Sequence, residues 1–210
     1  MNFAHDSPLI YLITPGAATS ENFSQKGPEI LASIERAVAE RVDLVQIREK
    51  HLTARKLFDL SKAAAGITAS TGTKLLINDR ADVALAAGAD GVHLTEGSLA
   101  TAVVRRAFPS QFVIGVSAHS LSEAAAVAEQ GADLAVFGPV FGTPGKGVPM
   151  GLDALAEISR RLRPFPILAL GGVDTDNYSS VLEAGASGFA AIRALNNAES
   201  LRTISRELKK

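Results

Sequence analysis

Gln46, Arg48 and Lys50 alternate as a short apolar run, Val42 to Val45, gives out. The run reads as a buried strand. On an extended chain, a spacing of two sets all three side chains on one face. Three long polar groups pointing into a core are costly to bury unless a ligand meets them. Two cations and an amide suit a phosphate or pyrophosphate, since Arg offers a planar fork and Lys a compact charge. A solvated strand end with alternating charges is the bland alternative. Asn78-Asp79-Arg80 closes another apolar run. Asp79 suits Mg²⁺, a hard cation that takes carboxylates and shares substrate phosphates, and it equally suits the N-cap of the helix beyond.

Further candidates follow the same pattern. His93, Thr95, Glu96 and Ser98 end a third run. His93 falls within the strand alternation and reads as a hydrogen-bonded wall imidazole, whereas Glu96 either assists a metal or faces solvent. Ser117-Ala118-His119 ends a fourth run, with Ser120 set to cap the next helix. His119 sits in a small, polar turn, and imidazole is the usual general base near neutral pH. A turn residue bonded to backbone is the alternative. Gly138 to Gly147 is rich in Gly and Pro and carries Thr143 and Lys146. Its small residues bring backbone N–H groups close to a ligand, and it reads as a lid or as an ordinary connection. Gly171-Gly172 and Arg193-Ala194 end two more runs.

Eight strands separated by helical stretches must position these residues. The apolar runs are Leu9 to Thr14, Leu44 to Ile47, Leu75 to Ile77, Gly91 to Leu94, Val113 to Val116, Leu134 to Phe137, Ile167 to Leu170 and Phe189 to Ile192. The first helix is expected from near Pro28 to Ala39, and the second to begin at an N-cap on Thr53. Ala87-Gly88-Ala89-Asp90, Gln130-Gly131-Ala132-Asp133 and Ala184-Gly185-Ala186-Ser187 share one shape, a helix ending at a Gly just before a strand. Strands buried on both faces read as continuous apolar runs. Eight such units close as an α/β fold, a single (β/α)8 TIM barrel over residues 1–210, with an open doubly wound sheet as runner-up. In such barrels the loops after the strands build the active site, and those after strands seven and eight commonly bind phosphate.

Composition narrows the function. The chain has 210 residues, a net charge of -1 and no cysteine. Near neutrality argues against nucleic acid as a partner. The lack of cysteine removes disulfides and thiolate chemistry and fits a cytoplasmic protein. No secretion signal or membrane span is expected.

Taken together, Gln46-Ile47-Arg48-Glu49-Lys50, Ile77-Asn78-Asp79-Arg80, Gly88 to Leu94, Gly115-Val116-Ser117-Ala118-His119, Phe137 to Phe141 with Thr143 and Lys146, and Gly171-Gly172-Val173 resemble the thiamine phosphate synthase family and its sister thiazole tautomerases. The resemblance spans nearly the whole chain. It implies coupling of hydroxymethylpyrimidine pyrophosphate to thiazole phosphate with release of pyrophosphate. By motif position, Gln46, Arg48, Lys50, Asn78 and Lys146 would hold the pyrimidine pyrophosphate, Asp79 would hold Mg²⁺, and Ser117 would sit beside the reacting pyrimidine. Thr143, Gly171 and Gly172 would meet the thiazole phosphate. The partners are then small molecules, and a homodimer stays open.

Three positions depart from the synthase pattern. Ser98 stands where the family usually has a second metal-binding Asp. Gly145 replaces a threonine, and Arg193 replaces a phosphate-binding serine, so that it either binds phosphate itself or blocks the pocket. Ser98 and His119 favour the tautomerase, in which a histidine at His119 moves a proton on a thiazole carboxylate phosphate without metal. Arg193 favours a third reading, a barrel that binds a thiamine precursor without turnover.

Overall fold

Hydrogen bonding between Leu9 and Ser187, and a register running Leu9↔Gly188 to Leu12↔Ala191, join the first strand to the last. In the computed structural model, which describes residues 7–143, 145 and 147–209, eight parallel strands therefore close in sequence order into a barrel. They are β1 (Leu9–Ile13), β2 (Leu44–Ile47), β3 (Lys74–Asn78), β4 (Gly91–Leu94), β5 (Val113–Ala118), β6 (Leu134–Phe137), β7 (Ile167–Leu170) and β8 (Gly188–Ala191). The expected (β/α)8 barrel is the fold found, and the open sheet is not.

Around it run α1 (Phe23–Ala39), α2 (Ala54–Thr68), α3 (Ala81–Ala87), α4 (Thr101–Ala107), α5 (Leu121–Glu129), α6 (Gly151–Arg161), α7 (Tyr178–Glu183), α8 (Arg193–Asn196) and α9 (Ala198–Leu208). Thr53 caps α2 through Lys56 N–H, and Ser120 caps α5 through Glu123 N–H. Two helices differ from expectation. α1 starts at Phe23, ahead of Pro28, which lies inside the helix. Its ring fits helical φ and costs one backbone bond there, so Pro marked the wrong boundary. The short α8, which begins at Arg193, has too few residues for a periodic signal.

Alternation along each strand sorts the core into two layers. Ile10, Leu12, Val45, Ile47, Leu75, Ile77 and Val92 face the helices. Leu9, Tyr11, Ile13, Leu44, Leu76, Val113, Leu134, Val136, Leu168 and Ala190 fill the barrel interior. Stepping by two along the same strands, the interior turns polar toward the carboxyl ends: Gln46 on β2, Asn78 on β3, His93 on β4 and Ser117 on β5. The lower barrel is a packed plug and the upper barrel is a polar basin.

The floor explains part of the internal repeat. Asp43, Asp90 and Asp133 stand just before β2, β4 and β6, and each accepts a backbone N–H from the preceding strand: Ile10 at 2.7 Å, Leu75 at 2.9 Å and Ile114 at 2.7 Å. Each also meets a cation, Lys209 at 2.7 Å, Lys74 at 2.8 Å and Arg105 at 2.5 Å respectively. The repeated acid is thus a strand-start bracket, remote from the carboxyl ends where the candidates lie.

Candidate functional site

β2 ends at Ile47, so of the alternating trio only Gln46 is on the strand. Arg48 and Lys50 follow in the loop, where the alternation expected of one extended face gives way to separate anchoring. Gln46 is buried, and its Nε2 donates to Asn78 Oδ1 at 2.8 Å. Its Oε1 has no partner among the described residues. The Arg48 N–H is held by Thr14 Oγ1 at 2.8 Å. The Arg48 guanidinium packs against Gly16, where a Cβ would stand 3.2 Å from Nη1. Lys50 is exposed and borders a cavity of about 240 Å³ with Asn78, Asp79 and Arg80.

Asp79 takes φ +59, a left-handed conformation uncommon for a residue with a side chain. That turn swings its carboxylate away from α3, whose N-cap is Arg80, so Asp79 does not cap the helix. Oδ2 accepts from Asn78 Nδ2 at 2.6 Å, and Oδ1 accepts from the hydroxyls of Thr95, at 2.9 Å, and Ser98. Burial works to raise the Asp79 pKa, but the Ser98 and Thr95 hydroxyls, the Lys50 charge and the Asn78 amide outweigh it and hold it below 3.8. Asp79 is therefore a carboxylate at neutral pH. Glu96 is exposed and lines a neighbouring cavity of about 460 Å³ with Thr95, Ser98, Ser117 and His119.

His93 is the satisfied wall imidazole that its register suggested. Nδ1 lies 3.2 Å from the Tyr11 hydroxyl and Nε2 lies 3.0 Å from Ser117 Oγ. Burial pushes His93 down to about 4, against the opposing pull of Asp79 and with that of Arg48. Burial also pushes the Tyr11 phenol well up. Both groups are neutral over the physiological range.

His119 is exposed, and its Nδ1 contacts Gly138 O at 2.6 Å. A carbonyl only accepts, so Nδ1 carries the proton and the neutral ring keeps a lone pair on Nε2. The backbone bond allowed for a turn residue is thus present, and it leaves the other nitrogen available. His119 borders a third cavity of about 380 Å³, lined also by Gly138, Thr143, Gly171, Gly172 and Arg193. Gly171 and Gly172 take φ +98 and +68, and a Cβ on either would come within 2.7 Å of Pro139 or Phe141. Only glycine lets the loops after β6 and β7 touch, which leaves bare backbone along the cavity wall. Lys146 lies outside the described residues.

The exits of β2 and β3, of β4 and β5, and of β6 to β8 thus hold three cavities. His119 borders the last two, and the first shares no lining residue with them but meets the second through the bonds of Asp79 to Thr95 and Ser98. One side carries cations and a carboxylate, the other glycine backbone and Arg193. The sequence model of the thiamine monophosphate synthase family matches residues 10–195. The chain belongs to that family. The thiamine-phosphate synthase of Chloroflexus aurantiacus is 37% identical over 212 residues, covering 100% of this chain and 95% of its own. A Geobacter sulfurreducens relative is 46% identical over 189 residues, covering 89% and 85%. The solved thiamine phosphate pyrophosphorylase from Pyrococcus furiosus superposes with a TM-score of 0.79 at 30% identity, covering 96% of this chain and 93% of that one.

Within this synthase-family fold, two residues drew no role from the sequence. Glu49 is buried, and its carboxylate accepts the N–H groups of Gly16, at 3.0 Å, and Ala18, at 2.8 Å, tying the loop after β1 to the loop after β2. Tyr11 carries the one polar side chain of the run Leu9–Ile13 and lies at its inward register. That polarity within an aliphatic strand was the signal available for it.

Proposed function

We propose that this chain is a thiamine-phosphate synthase, coupling hydroxymethylpyrimidine pyrophosphate to thiazole phosphate. The observation that carries the reading is that the strand exits hold separate cavities of different chemistry. One is lined by Lys50, Arg80 and the Asp79 carboxylate and one by glycine backbone and Arg193, with His119 on the wall of the latter and of a third that Ser117 also borders. Such a division suits two phosphorylated substrates meeting end to end.

Lys50 and Arg48 neutralise the pyrophosphate, with Lys146 assigned the same work by its place in the motif. The orphaned Gln46 Oε1 accepts from the amino group of the pyrimidine, which relieves a buried acceptor that no described residue satisfies. Ser117 lies beside the reacting carbon. Gly171, Gly172, Thr143 and Arg193 hold the phosphate of the thiazole. As the carbon–oxygen bond breaks, its electron pair leaves with pyrophosphate, and the thiazole nitrogen bonds to the carbon.

The donor set fits Mg²⁺ shared with substrate phosphates: one carboxylate, Asp79, flanked by the neutral oxygens of Ser98 and Thr95. It does not fit a cage made by protein alone, because the described residues hold no cluster of three metal-ligating side chains of the His, Cys, Asp and Glu type. When bound, Mg²⁺ supplies charge neutralisation to the departing pyrophosphate.

The test is to supply purified protein with both substrates and Mg²⁺. Thiamine phosphate is expected, and Asp79→Ala is expected to abolish it. A second reading, the tautomerase, draws support from the His119 Nε2 lone pair beside the 380 Å³ cavity. It requires metal-independent proton exchange on a thiazole carboxylate phosphate, lost in His119→Ala, with no coupled product at any Mg²⁺ concentration.

A further inference from the structure

Four features of the barrel interior converge on the Ser117 hydroxyl. Tyr11 is fully buried, and its phenol oxygen has His93 Nδ1 as its hydrogen-bond partner. A buried phenol must donate its proton to avoid a desolvation cost. Nδ1 must therefore hold a lone pair, and the proton of the neutral ring must sit on Nε2. That proton donates to Ser117 Oγ at 3.0 Å. Ser117 Oγ thereby uses one of its two lone pairs to accept from His93, and its own O–H has no acceptor among the described residues. Finally, Gly115 clears the space the ring needs, since a Cβ there would stand 3.0 Å from Nδ1.

We propose that the buried chain Tyr11 to His93 to Ser117 is a positioning device that fixes the Ser117 hydroxyl as a hydrogen-bond donor to the ligand in the barrel mouth. The proposal rests on the synthase reading for the identity of that ligand and on geometry for the direction of the chain. Neither Tyr11 nor His93 touches substrate. Both act through Ser117. A serine free to rotate would offer lone pair or proton indifferently; with one lone pair held by the His93 N–H, the hydroxyl rotor is biased to turn its unpartnered proton toward the ligand. A donor is what a departing anion or a ring nitrogen of the pyrimidine accepts.

The direction can be read without turnover. The chain has four histidines, so a long-range proton–nitrogen NMR spectrum of protein labelled with ¹⁵N-histidine is tractable, with the His93 signals identified by their loss in His93→Gln. Between roughly pH 6 and 8 the expected pattern is a bare Nδ1 and a protonated Nε2. Tyr11→Phe removes the phenol proton and should yield a mixture of tautomers. Gly115→Ala, which sets a methyl 3.0 Å from Nδ1 and keeps the Tyr11 hydroxyl, should disturb the Tyr11–His93 contact and blur the same tautomer pattern.

The kinetic arm is a double-mutant cycle. Tyr11→Phe is expected to lower kcat about tenfold while changing KM less than about twofold. In a Ser117→Ala background the same change should cost nothing further, because the device has lost its output. A proton on Nδ1 in the wild type, or losses that add in full, would overturn the proposal. A chain that makes no thiamine phosphate would sink the synthase reading alone, and the NMR pattern would still decide the direction of the chain.

Discussion

The Ser98 hydroxyl donates to Oδ1 of Asp79, the same oxygen that receives the hydroxyl of Thr95. A neutral donor thus occupies the place where a second carboxylate would share a cation. Ser98→Asp should tighten Mg²⁺ binding in the presence of inorganic pyrophosphate by about tenfold, measured by titration calorimetry. Without metal the variant should melt below the wild type, because two carboxylates then face one another. The pH behaviour follows from the depressed Asp79 pKa. Its folded-state contribution is present above its unfolded value and lost as pH falls through the folded one, which lies below 3.8. Asp79-dependent Mg²⁺ binding should therefore be flat between roughly pH 5 and 8.

His93 imposes a different limit. Its ordinary value of 6.5 falls to about 4 in the barrel. As pH drops below 6.5 the unfolded chain takes up a proton that the folded chain refuses. The stability this residue contributes is complete above 6.5 and declines toward 4, by at most about 3 kcal/mol. Urea midpoints should fall between pH 7 and pH 4.5 in the wild type, and less steeply in His93→Gln. Equal slopes in the two proteins would contradict the burial argument.

Glu49 braces the mouth. Glu49→Ala leaves the N–H groups of Gly16 and Ala18 without their acceptor and should cost about 2 to 3 kcal/mol. Limited proteolysis should then cut the loop after β1 faster than in the wild type. Glu49→Gln, which keeps one acceptor oxygen, should fall between the two.

Arg193 divides binding from blockage. If its charge holds the thiazole phosphate, Arg193→Ser should raise KM for that substrate about tenfold and leave KM for the pyrimidine pyrophosphate unchanged. A lower KM in the variant would identify Arg193 as an obstruction. The side chain is exposed at the cavity wall, and no described residue engages it in an ion pair, which favours the first outcome.

The barrel was legible because its signals are local and repeated. Apolar runs gave β2, β4, β6 and β7 to the residue, and Gly88, Gly131 and Gly185 take the left-handed φ their helix ends required. Asp79, Ser117 and His119 were legible as strand-exit residues, since loop position alone brings them to one end of the barrel. What stayed hidden depends on contacts between distant segments. Glu49 acquires its work only when the loop after β1 lies against it, 31 residues away at Ala18. Tyr11 and His93 meet across 82 residues of sequence. The hydroxyl–carboxylate contact of Ser98 with Asp79 requires β3 and β4 to be neighbours. The sequence offered each of these residue types but not its pairing.

The bracket between Lys209 and Asp43 bears on how the chain is made. Lys209 Nζ also reaches the carbonyl of Pro8 at 2.9 Å, so a side chain beyond α9 secures the floor beneath β1 and β2. With β1 hydrogen-bonded to β8, the ring of strands stays open until β8 has been made and has paired with β1. Until then a nascent chain carries one edge of β1 unpaired, a surface open to pairing with another strand.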